Sequence, residues 1–138
     1  MKVHVLAGMC AAGTLLIAAQ SVAHHSFSAE FDSNQPITVT GIVTNVEWTN
    51  PHVWFYVNVR DEATGDVVNW GAEMGPPHGL QRRGWRRNSL QIGEEVTVDG
   101  FLARNGSKRM NARSVTLTAT GERPGETLDA NSSRQGGE

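Results

Sequence analysis

Residues 52–59 (HVWFYVNV) repeat with a period of two, and that repeat constrains the fold more than any other feature of the chain. Val53, Phe55, Val57 and Val59 fall on one face, while His52, Trp54, Tyr56 and Asn58 fall on the other. Side chains that alternate in this way belong to a strand with one face in a core; a helix would scatter them around its axis.

Four further segments read as strands. Pro36 to Trp48 (PITVTGIVTNVEW) is rich in β-branched residues, and its apolar positions change from odd to even numbers at Gly41, which predicts a bulge or sharp bend there. Asp61 to Asp66 is a turn with Gly65 free to take a positive φ, after which Val68, Trp70, Ala72 and Met74 form one face of a returning strand. Glu94 to Arg104 and Arg109 to Thr118 flank Asn105-Gly106, a strong hairpin signal. Between the third and fourth strands, residues 75–79 read as loop and residues 80–87 as a short helix weakened by Gly84.

The order is a long bent strand, two strands, a loop with a short helix, then two strands. This predicts an all-β fold, a small five-stranded OB-like Greek-key barrel with a short helix or loop between strands 3 and 4. A generic open β-sandwich is the alternative. No internal repeat is visible.

The ends of the chain read differently. Lys2 followed by the apolar run from Val5 to Ala19, and then Gln20-Ser21-Val22-Ala23, has the shape of a signal peptide cut after Ala23. The run is short for a membrane span, which needs about 20 apolar residues. The expected organisation is a signal peptide at 1–23, a polar lead-in at 24–35, the barrel at 36–119 and a disordered tail at 120–138, where apolar residues almost vanish. The expected address is periplasmic, with no integral membrane segment after cleavage. The single cysteine, Cys10, would leave with the signal, so no disulfide is expected. A formal net charge of −2 argues against a nucleic-acid partner, which calls for a basic excess.

Three stretches together resemble a family of small exported proteobacterial proteins of uncharacterised function. They are Ala23 to Asp32 (AHHSFSAEFD), Val46 to Phe55 (VEWTNPHVWF), and Trp70 to Gly75 (WGAEMG) with Arg82-Arg83-Gly84-Trp85. The resemblance implies export and a β-rich fold, and it carries no activity. Weaker phrases such as Ile92 to Gly100 (IGEEVTVDG) resemble bacterial periplasmic OB-fold proteins.

Histidines suggest a metal. Cleavage after Ala23 would make His24 the N-terminal residue, able to chelate through its α-amine and Nδ1. One more imidazole, from His52 or His78, would complete a histidine-brace-like site suited to Cu(II), with His25 and Met74 as reserve ligands. The plain reading stands beside it: adventitious binding by a His-His start, a strand-initiating His52, a solvated His78 and a core-filling Met74. The chain is similar in size and expected address to periplasmic copper and silver chaperones, but lacks their Met-x-Met pair. Zinc spacing is absent.

Two further groups could bind a ligand. Trp54 and Tyr56 lie on the face opposite the valine row, where an OB-like barrel presents its ligand platform between the loops at 49–51 and 105–108. Alternatively, Phe27 and Phe31 could fold over these rings. Arg82, Arg83 and Trp85 sit in a basic–aromatic run, which could meet an anionic envelope component or partner protein; alternatively the arginines pair with Glu73, Glu94 or Glu95 while Trp85 plugs the barrel end. No Ser-His-Asp spacing, phosphate loop or dinucleotide fingerprint is present, so the expected role is binding without catalysis, to an envelope protein or a small ligand.

Overall fold

The computed structural model describes residues 27–119 and 125–130. Six strands follow in order: β1 (Phe31–Glu47), β2 (Trp54–Arg60), β3 (Val67–Glu73), β4 (Glu95–Ala103), β5 (Arg109–Leu117) and β6 (Glu126–Asp129). A short helix, α1 (Pro77–Arg82), lies between β3 and β4.

The sheet order is β3-β2-β1-β4-β5-β6, and a parallel pairing of β3 with β5 closes the first five strands into a ring. This is the all-β, OB-like barrel that the element order predicts. Strand β1 serves both halves, pairing with β4 through Ile42 and with β2 from Ile42 onwards. Gly41 sits at that handover. A Cβ there would stand 2.4 Å from the Asn58 carbonyl oxygen, so only glycine lets the two backbones come this close.

The phase change in β1 falls later than the sequence suggests. Ile42 is 41% exposed and Val43 1%. The irregularity in register lies between Val43 and Asn45, where the Asn45 side-chain oxygen accepts from the Val46 N–H at 2.9 Å. Gly41 supplies the close approach, and this bulge supplies the shift.

Three boundaries also need correction. β1 begins at Phe31, inside the expected lead-in, because Phe31 pairs with Ala103 and is buried. The helix begins at Pro77 and ends before Gly84, whose φ of 96° breaks it. Within the tail expected to be disordered, residues 126–129 form β6. They add to the free edge of β5, with Leu128 opposite Val115 and Thr127 opposite Thr116. The next residue, Ala130, is fully buried and accepts the Gly75 N–H at 3.0 Å.

The core fills the ring. Val53, just before β2, and Phe55 and Val57 within it are buried as their alternation requires, in one cluster with Val96, Val98 and Val115. Trp85 and Leu80 belong to the same core, both fully buried. Among the described residues, no helix is long and apolar enough to cross a membrane.

Candidate functional site

The outward face of β2 and β3 carries a cleft of about 500 Å³, open to solvent on one side. Strand register builds it. Tyr56 on β2 stands opposite Gly71 on β3, and Gly71 stands opposite Arg109 on β5. One rung further along, Glu47, Trp54, Glu73 and Asn111 form a second row. Residues directly opposite one another share a face, so these side chains converge although they come from four strands.

Gly71 forms the floor. A Cβ there would lie 3.3 Å from Tyr56 Cε1 and 3.6 Å from Trp54 Cζ3, so the missing side chain is what leaves room between the rings. Glu47, Asn69 and Lys108 complete the lining. The Asn69 amide donates to Thr44 Oγ1 at 3.1 Å and to Asn58 Oδ1 at 2.9 Å, which fixes its plane and leaves its own oxygen as an acceptor.

Both cations of the cleft rest on indoles. The Arg109 guanidinium lies 4.6 Å from the Trp54 ring centre, and Lys108 Nζ lies 5.2 Å from that of Trp70. Tyr56 has its pKa raised above the ordinary 10.0 by burial first and by the Glu47 carboxylate second, with Arg109 opposing. At neutral pH it is therefore a neutral phenol, and its O–H donates to the Glu47 carboxylate.

Beside the cleft, His52 Nδ1 meets the Glu73 carboxylate. Glu73 is the one charged residue buried among those described, at 6% exposure. Its pKa is raised, with burial as the main cause and the facing His52 opposing it. The His52 side chain is 41% exposed. Trp54 stands between Glu47 and Glu73, so these two carboxylates do not form a pair.

The N-terminal aromatic residues leave the cleft uncovered. Phe27 packs on Phe31 at 5.8 Å and edge-on against Phe101 at 6.1 Å. Arg104 ties this segment down through the carbonyls of Ser28 and Glu30 and an ion pair to Asp32 at 3.4 Å.

The other sequence candidates are placed elsewhere. Trp85 is fully buried, donating from Nε1 to the Asp129 carbonyl at 2.8 Å, and presents no surface to a ligand. Arg83 pairs with Asp129 at 3.2 Å, and Glu73 is taken by His52 rather than by an arginine, which corrects that one of the expected partners. Arg82 is exposed and contacts His78 Nε2 at 3.3 Å. Neither it nor Arg83 lines the cleft. Met74 is 2% exposed within the core, a position for packing rather than ligation. His24 and His25 lie outside the described residues. Among the described residues, no three His, Cys, Asp or Glu side chains come together in a way that could hold a metal. Sequence alone does not single out Arg109 or Gly71; both gain their place from the parallel β3–β5 closure, which no local pattern announces.

No curated protein matches the chain. A family of unknown function, DUF6152, matches residues 13–112, and the chain belongs to that family.

Proposed function

We propose that this member of DUF6152 is an exported, periplasmic binding protein that holds a small ligand, or a side chain of an envelope partner, in the Trp54–Tyr56 cleft without transforming it. One observation carries the reading. Two half-buried aromatic rings border an open trough with fixed donors and acceptors, while Phe27, which would otherwise cover them, packs on Phe31 and Phe101 instead. Concave sites with apolar walls and a few placed polar groups are where small molecules bind. The signal-like N-terminus supports the address.

The test is calorimetric titration of the secreted protein with a panel of sugars, aromatic acids and short peptides. Binding that is lost in Trp54→Ala and retained in Arg82→Ala is expected. Binding indifferent to Trp54 would reject the cleft. Mass measurement of the periplasmic protein checks the address, with a chain starting at His24 as the expected result.

A second reading is favoured by His52. Its Nδ1 is engaged by a buried carboxylate while the side chain is 41% exposed, and a carboxylate on one ring nitrogen is what orients imidazoles toward metals. On this reading His24 would supply the amine and imidazole of a Cu(II) site. Electron paramagnetic resonance of the copper-loaded protein tests it: a three-nitrogen signal that disappears in His52→Ala, and on adding one residue before His24, supports it. Equal weak binding in all three proteins rejects it.

A further inference from the structure

We infer that the ligand of the cleft is an acidic saccharide, a sugar chain carrying carboxylates; this rests on the cleft being the binding site. The charge of the lining is the first argument. The described ion pairs join His52 with Glu73, Arg83 with Asp129 and Arg104 with Asp32. Lys108 and Arg109 belong to none of them. They are adjacent in sequence, both line the cleft, and each rests on an aromatic ring, Arg109 feeling in addition the field of Glu73, whose ion pair is with His52. Two cations fixed in this way match an anionic group, which would accept charge-assisted hydrogen bonds from both.

The acceptors are the second argument. An aromatic carboxylate would satisfy Lys108 and Arg109 but offer nothing to Glu47 or to the free oxygen of Asn69. Sugar hydroxyls donate to both. The Asn69 oxygen is presented in a fixed plane because both amide hydrogens are already committed to Thr44 and Asn58. Tyr56, a neutral phenol whose O–H is turned to the Glu47 carboxylate, offers its oxygen as a further acceptor for a sugar hydroxyl.

Shape is the third. The trough is open along one side and floored by Gly71, with Tyr56 and Trp54 as its wall. An open trough admits a ring that continues into a chain in either direction. The apolar face of such a ring packs on aromatic side chains, while its edge hydroxyls reach the polar rim.

The experiment compares a galacturonate trimer, a neutral galactose trimer and benzoate by tryptophan fluorescence at low and high salt. The galacturonate trimer is expected to bind at least about tenfold more tightly than the neutral trimer. That preference should vanish in Lys108→Gln and shrink as salt rises. Equal affinity for the two trimers, preference for benzoate, or a preference that persists in Lys108→Gln would overturn the inference. Failure of both trimers would also overturn it. In each case the cleft itself is judged separately, by whether any bound ligand is lost in Trp54→Ala. Arg113→Gln, a cation that instead sits 5.3 Å over Phe101, is the control and should change neither affinity.

Discussion

The Arg109 guanidinium lies 4.6 Å over the Trp54 ring, although β5 and β2 are separated in the barrel by β3. Gly71, between them, has no side chain to keep them apart. The same guanidinium acts on Tyr56, stabilising the phenolate that Glu47 and burial disfavour.

That relationship gives a spectroscopic prediction, because Tyr56 is the only tyrosine in the chain. Ultraviolet titration should find one phenol ionising above 10.0. Arg109→Ala should move the midpoint further up by removing a positive neighbour, and Glu47→Gln should move it down. Movement in the opposite sense in either variant would show that the cleft charges are not arranged as described.

Glu73 predicts how stability depends on pH. Its pKa in the folded protein is raised above the ordinary 4.5, so the folded state holds more protons than the unfolded state between those two values. Stability from this group must therefore fall as pH rises through that window, by at most about 1.4 kcal/mol per pH unit for one proton. Urea unfolding across the acid range should display this slope in the native chain and lose it in Glu73→Gln.

Trp85 and Arg82 lie close in sequence and should behave oppositely. Trp85→Ala empties a fully buried site and removes the bond to the Asp129 carbonyl, and should cost about 3–5 kcal/mol. Trp85→Phe keeps most of the volume but loses that bond, at about 1–2 kcal/mol, with faster amide exchange along β6. Arg82→Ala should stay within about 0.5 kcal/mol of the native protein.

These contrasts explain what the sequence could reveal. The alternation in 52–59 was enough to place Val53, Phe55 and Val57 in the core, because inward and outward positions follow from the pleat alone. The element order was enough for the barrel. It was not enough for the bulge at Val43–Asn45, where Gly41 looked like the point of phase change but serves a backbone contact instead. Nor could it find β6, whose four residues include a single apolar side chain, Leu128, and depend on the free edge of β5. For the site, Trp54 and Tyr56 were visible as an outward aromatic pair. Lys108 lies in the loop at 105–108 that the element order sets at the platform, whereas Arg109 and Gly71 depend on the β3–β5 register, a long-range pairing that leaves no local periodicity.

Gly71 offers a structural probe of the cleft. In Gly71→Ala the new Cβ would stand 3.3 Å from Tyr56 Cε1, so the ring must give by a few tenths of an ångström. A stability loss of about 1 kcal/mol is expected, with ligand affinity falling by at least about tenfold. Thermal melting and calorimetry on the same sample separate the two effects.

The most direct test of the central claim is a nuclear magnetic resonance titration of the 15N-labelled protein with the tightest ligand from the panel. The account predicts saturable shifts at the Trp54 indole N–H and at the amides of Tyr56, Gly71, Lys108 and Arg109, with α1 unmoved. Shifts centred on Arg82 to Arg87, with the cleft signals unchanged, would contradict it.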